Sequence, residues 1–239
     1  MELKQYLDDG SKEFGIHLNS KQIDQFLEYK DLLLEWNEKM NLTAITEEKD
    51  IIIKHFLDSI SIGKFFDFSS VESVIDIGTG AGFPGVPLKI AYPNLKITLM
   101  DSLNKRIEFL KEVVLKLSLD EAEPIHGRAE ELGQDKLHRE SYDVSVSRAV
   151  AHLSVLAEYT LPFIKIGGKF LCMKSINSDE EIEASKKAIT ILGGKIIDQK
   201  DVHIPFSDIS HRIIFIEKER ETPAKYPRKP GKPSKNPIQ

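Results

Sequence analysis

Apolar positions recur along the chain with two different periods. Over residues 1–66 the spacing is helical. Asn19-x-x-Gln22 has the form of a capping box, and it precedes Ile23, Phe26, Leu27, Leu33, Leu34 and Trp36 on one broad face. Asn41-Leu-Thr43 interrupts that face. A further helix is predicted from about Glu47, with Ile51, Ile52, His55, Phe56 and Ile60 in register and Lys54, His55 and Asp58 on or beside the apolar side.

After residue 66 short apolar runs alternate with helical stretches. Val74–Ile77, Lys96–Met100, Glu123–Ile125, Tyr142–Ser147 and Lys169–Met173 read as five strands. Between them, helices are predicted from Pro84 through Ala91, over Ile107, Leu110, Val114 and Leu117 with Ser102 as cap, and from about Asp179 to Leu192. Alternation of this kind implies parallel strands with helical crossovers. The last two runs, Gly194–Val202 and Arg212–Glu217, are joined by a segment too short for a crossover, so they should pair antiparallel. Five of the eleven prolines follow residue 222, which predicts an extended tail. The expected organisation is a helical cap over 1–66, an α/β domain over 67–218 and a tail over 219–239.

The first strand runs into Gly78-Thr-Gly-Ala-Gly82-Phe-Pro-Gly85. Glycines here let the loop turn sharply and let its backbone approach a ligand, while amides at the following helix start suit a carboxylate or phosphate. Gly80-x-Gly82-x-x-Gly85 also fits a dinucleotide fingerprint, which leaves NAD open as a ligand. Asp101 ends the second strand nineteen residues past Gly82, where an acid can hold a ribose hydroxyl pair or simply face a helix dipole. His126-Gly-Arg-Ala-Glu-Glu131, Arg148 and Lys174 follow the third, fourth and fifth strands, so all of them lie at the carboxyl edge of the sheet.

Composition narrows the setting. A 41% hydrophobic content over 239 residues describes a globular chain that buries a large core. There is no apolar run of membrane-spanning length and no leader-like segment, and the single cysteine, Cys172, excludes an internal disulfide. A cytoplasmic protein with no membrane partner is expected. The seven histidines have no metal-ligand spacing. Of the net charge of −5, residues 222–239 contribute five cations and no acid, leaving a body of −10. A basic tail on an acidic body points to a polyanion met at one place.

Five parallel-type strands, a helix and an antiparallel hairpin resemble the Rossmann-like, seven-stranded layout of class I S-adenosylmethionine-dependent methyltransferases, and Asp76 resembles their first acidic motif. A carboxylate and free amides complement the ammonium and carboxylate of that cofactor, whereas an acid beside a pyrophosphate is repulsive. The chain lacks the Asn/Asp-Pro-Pro-Tyr/Phe motif of exocyclic-amine methylation. Cys172 lies inside an apolar strand, as an inert core thiol does. Transfer to an atom that is already nucleophilic remains.

Asn41-Leu-Thr43, Lys54-His-Phe-Leu-Asp-Ser59, Asp76 through Gly85, Asp101-Ser-Leu-Asn-Lys-Arg106, Ser147-Arg-Ala149, Thr222-Pro, Tyr226-Pro-Arg228 and Gly231-x-Pro233 occur in that order. Together they resemble the RsmG (GidB) family of bacterial methyltransferases acting on small-subunit ribosomal RNA. The chain departs from it at Met173-Lys-Ser175, where members commonly read Met-Lys-Gly. The resemblance implies S-adenosylmethionine as methyl donor and N7 of a guanine in the 530 loop of 16S RNA, expected to be guanine 527, as acceptor. It implies cofactor contacts from Gly78, Phe83, Ala129, Glu130 and Arg148, to which Gly80 and Gly82 of the loop and Asp101 at the ribose are added here.

Guanine N7 has a lone pair and no proton to lose, so no catalytic base is expected and Arg148 is assigned to positioning. Lys54, His55, Lys174, Lys225, Arg228, Lys229, Lys232 and Lys235 are candidate RNA contacts. The partner is 16S RNA or the small subunit, and DNA is not expected. The competing readings are an NAD-dependent enzyme and a non-catalytic RNA-binding protein that keeps a degenerate methyltransferase fold.

Overall fold

The computed structural model describes residues 1–148 and 151–238. Ala149 of the Ser147-Arg-Ala149 segment and the terminal Gln239 lie outside the described residues.

The capping box forms as its spacing predicts. Asn19 Oδ1 accepts from the Gln22 amide at 3.0 Å and Gln22 Oε1 accepts from the Asn19 amide at 2.9 Å. This starts α2 (Ser20–Asn37), which follows α1 (Leu3–Lys12). The predicted next helix is heterogeneous. A turn of α3 (Glu48–Ile51) widens into a π-helical stretch over Ile52–Leu57, narrows again in α4 (Asp58–Ile60) and ends in a 3-10 turn over Ser61–Lys64. π-Helical turns re-aim side chains and recur at functional sites. Lys54 and His55 sit in this one.

The α/β region then runs β1 (Ser73–Ile77), α5 (Gly85–Ala91), β2 (Lys96–Asp101), α6 (Asn104–Lys116), β3 (Ala122–His126), α7 (Ala129–Leu132) and β4 (Tyr142–Arg148). It continues with α8 (Leu153–Thr160), β5 (Ile164–Ser175), α9 (Asp179–Ile191), β6 (Gly194–His203), β7 (Ser210–Lys218) and α10 (Lys232–Lys235). The sheet order is β3-β2-β1-β4-β5-β7-β6, with the first five strands parallel and β7 antiparallel to both its neighbours. This is the predicted parallel sheet with an antiparallel hairpin at one side.

Three local expectations are corrected. Ser102 does not cap α6, because the helix starts at Asn104; Asp101 Oδ1 instead takes the Leu103 amide at 2.9 Å. Pro84 is the residue before α5 and not its first helical position. The tail is not uniformly extended, since Lys232–Lys235 form α10 and Thr222, Tyr226 and Pro233 are buried.

Side-chain alternation along the strands divides the core. Val74, Val146, Leu171 and Met173 face one continuous cluster that includes Phe26, Tyr29, Leu33 and Phe56 of the N-terminal helices. Phe170, Cys172, Ile214 and Ile216 face the opposite layer, with Leu153 and Leu156 of α8 and Ile182 and Ile189 of α9. The N-terminal helices are thus half of one side of the core, and they carry their polar residues to the edge where the parallel strands end. No described helix is long and apolar enough to cross a membrane.

Candidate cofactor and substrate site

Two glycines of the loop do different work. Gly82 (φ +100°) packs so closely that a Cβ would lie 2.5 Å from Tyr29 Oη and 2.7 Å from Val86, whereas Gly80 (φ +62°) faces open space. Gly82 is therefore a packing residue and Gly80 borders the site. Tyr29, from α2, donates its hydroxyl hydrogen to the Ala81 carbonyl and holds the loop from below. Burial pushes the Tyr29 hydroxyl pKa well above its usual value.

Two aspartates set the loop from the strand ends. Asp76 is fully buried; its Oδ2 accepts from Thr79 Oγ1 at 2.6 Å and from the Gly85 amide at 2.8 Å, while its Oδ1 has no partner among the described residues. Burial raises its pKa to about 7 against the opposing pull of those hydrogen bonds and of the Arg148 charge. Asp101 Oδ2 accepts from the Gly80 amide at 2.9 Å and from Arg106 at 3.1 Å, so it clamps the loop as well as facing the crevice.

Gly78, Asp101, Ala129 and Glu130 come together, with Ser102, Arg106, Arg128 and Tyr159, around a cavity of about 210 Å³. The Glu130 side chain is already engaged, because its Oε1 accepts from the Gly231 amide of the tail at 2.9 Å. Gly78 also borders a second cavity of about 370 Å³ with Thr43, His55, Gly80, Phe83 and Arg148. The two cavities share Gly78 and Arg106 in their linings, and Arg148 and Phe83 line the one that lacks Ala129 and Glu130.

Around that second cavity lies a network of committed polar groups. The His55 ring stacks on Phe83 at 4.5 Å between centroids, and the Arg148 guanidinium lies 4.9 Å from the Phe83 ring centre. Arg148 Nη1 donates to Asp58 Oδ2 at 2.7 Å and Nη2 donates to His55 Nδ1 at 3.2 Å. Because a guanidinium only donates, His55 Nδ1 is the acceptor and its Nε2–H donates to Thr43 Oγ1 at 2.8 Å. Burial, reinforced by the Arg148 charge, lowers the His55 pKa to about 4, so this ring is neutral. Asp58 Oδ1 accepts from His211 Nδ1.

A third cavity of about 420 Å³ opens on the far side of Arg148, lined by Lys54, His55, Asp58, Lys174, Ser175 and His211 among others. Lys54 is half exposed and paired with Asp50 at 2.7 Å, while Lys174 is nearly buried and paired with Glu181 at 2.6 Å. The tail candidates divide differently. Arg228 forms a forked pair with buried Glu158 at 2.6–3.1 Å, whereas Lys225, Lys229, Lys232 and Lys235 are exposed. The Cys172 thiol is buried, with its pKa pushed up to about 12.

Sequence reasoning did not single out Tyr29, Glu158 or His211, and it named Arg106 only as the end of a motif, with no role. The first is one more apolar-face residue by spacing. His211 meets Asp58 from 153 positions away, and no local pattern reports such a meeting.

The strand order, the glycine loop after β1 and the acids ending β1 and β2 define a class I methyltransferase fold. A solved structure described as StiE O-MT residues 961–1257 shares it, with a TM-score of 0.53 at 16% identity over 70% of this chain and 75% of that one. Residues 22–209 match the GidB family, described as rRNA small subunit methyltransferase G. The protein called ribosomal RNA small subunit methyltransferase G in Alkaliphilus metalliredigens (strain QYMF) is 58% identical over the full length of both chains. That of Acetivibrio thermocellus is 56% identical over 100% of this chain and 98% of its own. The chain belongs to the rRNA small subunit methyltransferase G family.

Proposed function

We propose that this rRNA methyltransferase methylates N7 of a guanine in 16S RNA, guanine 527 of the 530 loop, by direct transfer without a general base. S-adenosylmethionine is the methyl donor, and when bound it supplies an electrophilic methyl group on a sulfonium sulfur. The residues fit that molecule: buried Asp76 Oδ1 has no partner among the described residues, Gly80 is open on its free side, and cavities lie on both sides of Gly78. Asp76 and the loop amides suit the amino-acid end, and Asp101, Ala129 and the Glu130 backbone suit the nucleoside end.

The observation that carries the base-free reading is that His55 and Asp58, the groups beside Phe83 and Arg148 that could take a proton, are already hydrogen-bonded. His55 spends its lone pair on Arg148, and both Asp58 oxygens accept hydrogen bonds. Such groups hold an orientation and do not take up protons. Arg148, fixed over Phe83, positions the reactants, and alignment supplies most of the rate. The four exposed tail lysines provide phosphate contacts to the RNA.

The test is transfer of labelled methyl from S-adenosylmethionine to small subunits and to naked 16S RNA. The expected label lies on one guanine and makes the chain there sensitive to reduction and aniline scission, as N7-methylation does. A label on a base insensitive to that treatment contradicts N7. Cofactor binding with no label on either acceptor contradicts ribosomal RNA methylation itself.

A further inference from the structure

We infer that the C-terminal tail is part of the cofactor site. Residues 226–234 span α7 and α8 and hold the Ala129–Glu130 turn against the nucleoside end of S-adenosylmethionine, with Glu130 and Arg228 as positioning residues. This rests on the placement of that end proposed above and goes beyond it by naming what keeps the turn in place.

The turn cannot keep its shape alone. α7 has four residues, Ala129–Leu132, and a single helical turn is unfavourable in isolation. Its start is tied to the sheet, where the Gly127 amide donates to the Asp101 carbonyl at 3.1 Å. Its far end is tied to the tail. The Gly231 amide donates to Glu130 Oε1 at 2.9 Å, and Gln134 Nε2 donates to the Ala224 and Pro227 carbonyls at 3.1 and 3.0 Å. Arg139 Nη1 donates to the Gly133 carbonyl at 2.8 Å and to the Tyr226 carbonyl at 2.9 Å, which stitches the end of α7 to the tail. A Cβ on Gly133 would lie 2.9 Å from Pro227 Cγ, so Pro227 is seated directly on Gly133.

The same segment grips the other side of the cavity. Arg228 forms its forked pair with Glu158 of α8, and its backbone amide adds a bond to Glu158 Oε1 at 2.8 Å. The next residue of α8, Tyr159, lines the 210 Å³ cavity together with Ala129 and Glu130. Burial, then the charge of the neighbouring Glu130, raises the Tyr159 hydroxyl above its usual pKa. Both α7 and α10 pack on α8, so the tail closes a ring of contacts around the outer wall of the cavity.

Glu130 therefore has two roles. Its backbone belongs to the turn that borders the cavity, while its buried carboxylate is engaged by the tail. A buried carboxylate needs a donor, so the Gly231 amide fixes where the carboxylate sits and, with it, the turn. A wall ordered before the ligand arrives does not have to be ordered on binding, and the difference appears as affinity. The contact lies at the nucleoside end and not at the transferred methyl group. It acts on cofactor binding and not on the rate of transfer.

The experiment compares full-length wild type, Glu130→Gln, Glu130→Ala and Arg228→Met. S-adenosylmethionine affinity is measured by calorimetry, and kcat and KM for the cofactor by methyl transfer to small subunits. Amide exchange over residues 127–133 is followed with and without cofactor. In wild type the cofactor is expected to slow exchange over that span. Glu130→Ala is expected to weaken affinity and raise KM about tenfold, with kcat within about twofold, and to speed exchange there in the free protein. Glu130→Gln, which keeps an acceptor for the Gly231 amide, should recover most of the loss. Affinity within about twofold of wild type in Glu130→Ala overturns the inference, whatever its melting temperature. Equal losses in the Gln and Ala variants, or a fall in kcat at unchanged KM, also overturn it. If Glu130→Ala does not fold, Arg228→Met decides: weakened affinity with faster exchange over 127–133 supports the inference, and unchanged affinity overturns it. Wild type with no cofactor protection over 127–133 removes the proposed placement and the inference together. Protection there with an unaffected Glu130→Ala removes the inference alone.

Discussion

At the scale of single residues the loop separates packing from binding. Gly80→Ala meets only the cost of a left-handed backbone, about 1–2 kcal/mol, but puts a methyl group on the ligand side. Gly82→Ala adds a clash with Tyr29 and Val86 to the same backbone cost. Calorimetry and thermal melting should therefore split the pair: Gly80→Ala loses mainly cofactor affinity, and Gly82→Ala mainly melting temperature. His55 gives a pH signature. Its folded pKa of about 4 lies below its ordinary 6.5, so the unfolded chain binds the proton first. The stability it contributes is complete above pH 6.5 and is lost as pH falls toward 4. Melting curves across that window should show a shallower acid slope in His55→Gln than in wild type.

At the scale of elements, the tail shows where sequence and structure part. Its prolines and cations read as an extended basic arm, and four of its lysines do reach solvent. What composition did not reveal is that Arg228 meets buried Glu158, that Arg139 holds the Thr222 and Tyr226 carbonyls, and that Gly231 bonds Glu130 at the cofactor cavity. Arg228→Met strands a buried carboxylate and should cost about 3 kcal/mol of stability. Replacing Lys225, Lys229, Lys232 and Lys235 by Gln should leave the melting temperature nearly unchanged. It should reduce the salt dependence of RNA binding by a slope of about 0.7 for each lost phosphate contact. Equal salt slopes before and after would remove the tail from the RNA interface. The strands, their order and the glycine loop were legible because they depend on local periodicity and glycine chemistry. Asp58 with His211, and Glu158 with Arg228, were not, because long-range ion pairs leave no period in a sequence.

At the scale of the molecule, the N-terminal helices and the sheet share one core, and that sharing makes the site. Tyr29 from α2 props the loop, the π-helical turn delivers His55, and α4 supplies Asp58 to Arg148 at the end of β4. Each polar group around Phe83 is held in place by another, which suits a reaction that needs alignment and no proton transfer. The solvent deuterium isotope effect on single-turnover methyl transfer tests that claim most directly. A ratio of about 1 between water and deuterium oxide is predicted, because no proton is in flight; a ratio of about 2 or more would mean that a general base takes part and would contradict the account.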